Sequence, residues 1–92
     1  MIKSFRHRGL KRLFETGERR GVSHELAARL RRQLDVLNRA RNATDLNLPG
    51  FRLHQLKGNR AGTWSISVSG NWRITFKFER QDAFNVDLED YH

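Results

Sequence analysis

The sequence predicts an α+β fold, with two N-terminal helices packed on one face of a mainly antiparallel sheet of four or five strands. Three observations carry that prediction. Apolar residues recur at helical spacing up to about residue 40 and at alternating positions from residue 51 onward, so the period changes once along the chain. The sole proline, Pro49, lies in the polar stretch between these two regimes. No repeat or low-complexity tract interrupts either half, so residues 1–92 are expected to form a single domain. A chain of 92 residues buries only roughly 60 to 68% of the surface it exposes when unfolded, which makes for a modest core.

The first helix is expected over residues 8–16, where Leu10, Leu13 and Phe14 form one stripe and Gly17 can cap the C-terminus. Ser23 is positioned to cap a second helix, with Glu25 in its first turn. Leu26, Leu30, Leu34 and Leu37, joined by Ala27 and Ala40, lie along one of its faces, and Arg29, Arg31, Arg32, Asp35 and Arg39 along the other. Arg41 would return to the apolar stripe, so this helix should stop near residue 40. Residues 42–50, ending in Pro49-Gly50, connect to the strands.

Among the strands, Trp64, Ile66 and Val68 alternate with Ser65 and Ser67, and Trp72, Ile74, Phe76 and Phe78 with Arg73, Thr75 and Lys77. Ser69-Gly70-Asn71 joins the two as a tight hairpin. A polar turn at residues 79–82 leads to a further strand with Phe84, Val86 and Leu88 in phase. Residues 51–56 are expected to form a strand ahead of this meander, and residues 2–5 can pair at an edge. Alternation assigns both tryptophans to the core and leaves Arg73, Thr75 and Lys77 on an open face. Asp90 and His92 share the parity of Val86 and Leu88, so reaching the open face requires a bulge or a strand end. Lys57 can join His54 only from a turn opened by Gly58.

Charge narrows the function classes. The formal net charge is +8, and twelve of the 18 Lys and Arg residues but only four of the ten Asp and Glu residues fall within residues 1–41. Such an excess points to a polyanionic partner, nucleic acid or an acidic protein, although solvated arginine-rich helix faces produce the same pattern. Without cysteine, neither disulfides nor thiolate metal sites are available. No run of about 18 apolar residues and no signal-like N-terminus is present, so a cytoplasmic protein without a membrane partner is expected.

Three strand ends carry the residue types that acid–base chemistry requires: His54 with Lys57, Asn71-Trp72-Arg73, and Asp90-Tyr91-His92. Cleaving RNA without metal needs one group to take the 2′-hydroxyl proton, another to protonate the departing 5′-oxygen, and cations to stabilise the phosphorane. Imidazoles suit proton transfer near neutral pH. His54 and His92 are the candidates, with Asp90 to orient an imidazole, Arg73 to grip a phosphate in two-pronged fashion and Lys57 as a point charge. Each has a plainer reading: a strand histidine is commonly a surface or hydrogen-bonded residue, a terminal one frays, and Tyr91 can pack on the sheet. A metal site built from Asp87, Glu89, Asp90 and His92 is a rival, but alternating acids without a second cluster give it little support. No phosphate-binding glycine loop or serine-nucleophile motif is present.

On these residues the chain resembles the HigB toxins, a branch of the RelE superfamily of bacterial toxin–antitoxin systems. The resemblance runs through Ile2-Lys3-Ser4-Phe5, His54-Gln55-Leu56-Lys57-Gly58, the hairpin from Gly62 through Trp64-Ser65-Ile66 to Asn71-Trp72-Arg73-Ile74-Thr75-Phe76, and Glu89-Asp90-Tyr91-His92. It implies a small RelE-like domain that enters the vacant A site of the 70S ribosome and cuts the mRNA there without metal or other cofactor. It also implies catalytic roles for His54, Lys57, Arg73, Asp90, Tyr91 and His92: the histidines and Asp90 in proton transfer, Lys57 and Arg73 on phosphate charge, and Tyr91 on the nucleotide. Arg6, Arg12, Arg19, Arg20, Arg60, Asn71 and Lys77 are then expected to meet RNA or the ribosome. The implied partner is a HigA-type helix-turn-helix antitoxin, with operator DNA bound only through the complex. Two alternatives stand beside this: a basic RNA-binding module without catalysis, and a regulatory subunit that only binds an antitoxin.

Overall fold

The computed structural model describes residues 1–90, and it has the expected layers: two helices, α1 (Arg8–Thr16) and α2 (Ala27–Arg39), against a four-stranded antiparallel sheet. The strands are β1 (His54–Gln55), β2 (Trp64–Ser69), β3 (Trp72–Glu79) and β4 (Asp82–Asp90), in that spatial order.

Helix α1 forms where the sequence places it. The His7 imidazole accepts the Leu10 N–H at 3.1 Å, supplying an N-cap. Gly17 ends the helix at φ 81, where its N–H donates to the Leu13 carbonyl. Helix α2 starts later than Ser23 suggests. Residues 23–26 close a separate turn through Leu26 N–H and the Ser23 carbonyl, and the N-cap, Leu26, has no side-chain bond. Packing therefore secures α2 in place of a cap: Ala27, Leu30, Leu34 and Leu37 are buried in the common core. Gln33 and Arg29 add polar ties, donating to the Ser67 and Val68 carbonyls at 2.8 and 2.6 Å. The helix stops at Ala40, as its stripe requires.

Ile66, Val68, Ile74, Phe76 and Val86 face the helices and are at most 2% exposed. Residues 51–53 do not extend β1, which pairs with β2 over only two residues. The N-terminal segment instead borders β4, bridging in parallel at Ile2 with Ala83 and Phe5 with Val86. Both hairpins are tight. Gly70 at φ 54 opens the β2–β3 turn, and Arg80 and Gln81, both at positive φ, form the β3–β4 turn.

Two expectations of phase fail, each for a local reason. Lys77 pairs with Phe84 and Thr75 with Asp87, so β4 holds one extra residue, and Asn85 within it sits at φ 56. This bulge places Phe84 on the face of Lys77, while Ala83, opposite Phe78, takes the core position. Trp72 is also not a core residue. It is the first residue of β3 and remains 40% exposed.

Candidate active site

Antiparallel register partners project to the same side of a sheet, so the pairings define rows on the face away from the helices. One row runs from His54 through Ser65 and Thr75 to Asp87, and the next from Ser67 through Arg73 to Glu89. His54 and Arg73, from strands with β2 between them, line one shallow concavity of about 320 Å³ with Arg52, Leu53 and Ser65. Ser65 is wholly buried beneath it, and its hydroxyl has no hydrogen-bond partner among the described residues. Imidazole and guanidinium thus flank a space open to a phosphodiester.

Lys57 lies outside the strand, at the head of the 3-10 turn Gly58–Arg60, where Gly58 adopts φ 71. Lys57 precedes the Gly58 turn as expected, but it is not among the residues that line the His54–Arg73 concavity. Asp90 is the register partner of Trp72, on the side of Ile74 and Leu88, and is exposed at the end of β4. A bulge does occur in β4, but it precedes Val86, so Val86, Leu88 and Asp90 stay in phase. Asp90 therefore lies on the opposite side of the sheet from the row of Arg73 and Glu89. Tyr91 and His92 lie outside the described residues.

The face is less open than alternation implies. Thr75 is only 2% exposed, because the β1–β2 loop folds over it. Arg60 in that loop donates to both carboxylate oxygens of Glu89, at 2.8 and 2.7 Å, and the Thr75 hydroxyl donates to the same carboxylate. The Arg60 hydrogen bonds hold the Glu89 carboxyl below its usual range, with help from Thr75 and the charge of Arg6, against the opposing effect of partial burial. Both oxygens that the metal reading would use are thereby engaged by Arg60. Beside this pair, Arg6, Arg60 and Lys77 surround a cup of about 200 Å³ with Asn59, Thr63, Thr75 and Asn85.

The remaining candidates stand apart from this face. Arg12 of α1 donates to the Arg20 carbonyl at 2.9 Å, and Arg20 pairs with Glu18 at 3.3 Å within the connection between the helices. Arg19 borders a groove with Arg31, Arg32 and Asp35 of α2. Asn71 is exposed in the β2–β3 turn. Sequence reasoning missed the clasp of Arg60 on Glu89. The signal available was the odd spacing that puts Glu89 out of phase with the core residues of β4.

The matched family model, described as the RelE-like toxin HigB of type II toxin–antitoxin systems, covers residues 3–92. The chain belongs to the HigB-like toxins. Endoribonuclease HigB of Proteus vulgaris is 48% identical over the full length of both chains. Toxin HigB-1 of Vibrio cholerae serotype O1 is 30% identical over 99% of this chain and 98% of its own. As a HigB-like toxin, the chain carries its His54–Arg73 concavity on the strands of a RelE-like sheet, within the matched span.

Proposed function

We propose that this HigB-like toxin is an mRNA endonuclease that acts on the ribosome, cleaving codons in the A site by metal-independent general acid–base chemistry. The chain is an endoribonuclease of the HigB type; its family and its full-length similarity to a protein named Endoribonuclease HigB support this. The observation that carries the finer reading is the concavity shared by His54 and Arg73. A 2′-oxygen attacks the adjacent phosphorus as a base removes its proton, the bond from phosphorus to the 5′-oxygen breaks, and an acid protonates that oxygen. The products are a 2′,3′-cyclic phosphate and a 5′-hydroxyl. Arg73 grips the phosphate and Lys57 adds charge as the phosphorane forms. His54, with Asp90, Tyr91 and His92 at the tail, supplies proton transfer and nucleotide positioning.

Such an activity needs translating ribosomes and hence the cytoplasm, and among the described residues no helix is long and apolar enough to cross a membrane. As a toxin of a type II system, the chain has a cognate antitoxin, which we take to be a helix-turn-helix protein of HigA type that brings the complex to operator DNA. The test maps 5′ ends on an mRNA incubated with translating ribosomes in magnesium buffer and the protein, which is used either untreated or after EDTA treatment and removal of the chelator. New ends within A-site codons, made as fast by the EDTA-treated protein as by the untreated one, are the expected result, and Arg73→Ala should lower their rate about 10² to 10³-fold, the usual cost of removing one charge-stabilising donor. No new ends would favour an RNA-binding module without catalysis, and ends made equally well by Arg73→Ala would take Arg73 out of the catalytic site.

A further inference from the structure

The loop carrying Lys57 crosses the sheet. β1 and β4 are its opposite edges in the four-strand order, roughly 14 Å apart at the usual spacing of about 4.8 Å per strand. Yet Arg60, three residues after Lys57, reaches Glu89 on β4. The backbone on either side of Arg60 is tied as well. Its N–H donates to the Lys57 carbonyl at 3.4 Å, its carbonyl accepts from Thr63 N–H at 3.0 Å, and the Thr63 carbonyl accepts from Leu56 N–H at 2.8 Å. A shift of the Arg60 guanidinium is therefore passed to the whole loop. At the other end, Thr75 fixes the Glu89 carboxylate from β3, Arg73 is the register partner of Glu89, and Asp90 is its peptide neighbour.

We propose that Glu89 is a positioning residue of the cleavage reaction: its two-pronged pair with Arg60 holds the Lys57 loop at the separation from the end of β4 at which both act on one phosphodiester. The inference rests on the mRNA-cleavage reading above. A planar two-pronged pair fixes angle as well as distance, which a single point charge does not. Glu89 itself would repel a phosphate, so a direct role in holding RNA does not explain a carboxylate here. If Arg60 served only to bind phosphate, removing the charge of Glu89 would release the guanidinium and tighten RNA binding without slowing cleavage.

The experiment measures single-turnover cleavage of an A-site codon by the full chain on translating ribosomes, recording the maximal rate and the half-saturating concentration. Misplacement of reacting groups by about 1 Å can cost on the order of 10²-fold. Glu89→Gln, which keeps the side-chain shape, is expected to lower the maximal rate by about 10 to 100-fold and to leave half-saturation within about threefold. Arg60→Lys should do the same, and Glu89→Gln combined with Arg60→Lys should lose no more than the worse single variant, since the pair acts as one unit. Thermal melts confirm folding, and if Glu89→Gln does not fold, Arg60→Lys carries the test. A wild-type maximal rate in Glu89→Gln, an effect confined to half-saturation, or single losses that multiply in the double variant would overturn the inference. Absence of cleavage by the unaltered chain would instead overturn the activity reading, and this inference with it.

Discussion

Arg73 and Glu89 face one another across β3 and β4, but they differ in how far the sequence exposes them. Alternation with Trp72 and Ile74 is enough to put Arg73 on the outer face, and it puts His54 within reach once β1 pairs with β2. The partner of Glu89 is 29 residues away, in a loop whose path over the sheet depends on turns that spacing does not encode. The pair has a pH signature. Arg60 lowers the folded-state pKa of Glu89 below the ordinary value of 4.5, so the unfolded chain binds the proton more tightly. The stabilisation is thus complete above that ordinary value and is lost as pH falls through the lower folded value. Glu89→Gln removes it at every pH. Wild type should melt above Glu89→Gln at pH near 7, and the gap should close as the pH is taken below about 4.5 in a thermal-melt series. A gap that is constant with pH would mean that the carboxylate gains nothing from its ionisation.

At the scale of elements, the bulge in β4 decides which residues reach the outer face. Strict alternation sends Phe84 inward with Val86 and Leu88, whereas the extra residue puts Phe84 beside Lys77 and gives Ala83 the core position. The only sequence hint is the residue type, since asparagine tolerates the left-handed region better than most side chains. Asn85→Val should destabilise the fold by about 1 to 2 kcal/mol, the cost of placing a residue with a crowded Cβ there. Asn85→Gly should lie within about 0.5 kcal/mol of wild type, because glycine adopts that conformation freely. Urea denaturation of the three proteins compares them. Equal stability of Asn85→Val would mean that the bulge is not held at φ 56. The same limit on local reasoning explains the late start of α2 and the exposure of Trp72. Ser23 has the chemistry of a cap but closes its own turn, and a tryptophan in phase with a core stripe stays exposed at the first position of its strand.

Across the whole molecule, the helical layer and the outer sheet face divide the charge between them. The basic N-terminal half is legible from composition, but composition does not say that Arg19 and Arg20 lie in the α1–α2 connection with Arg12 of α1 bonded to it, in the layer packed on the other side of the sheet from His54 and Arg73. Arg12 and Arg20 are partly occupied in holding that connection together, whereas Arg19 is exposed. A ribosome presents RNA on many sides, so a separate contact there would raise affinity without touching the scissile bond. Each phosphate contact steepens the fall of binding with salt by roughly 0.7 to 0.9 in log K against log concentration. Arg19→Ala should therefore weaken ribosome binding and flatten that slope by about 1, while the cleavage rate on saturated ribosomes stays within about twofold. Filter binding over a range of salt concentrations, paired with single-turnover cleavage at saturation, separates the two effects. An unchanged slope would reduce Arg19 to a solvated surface charge, and a lost maximal rate would mean that the helical layer takes part in the chemistry.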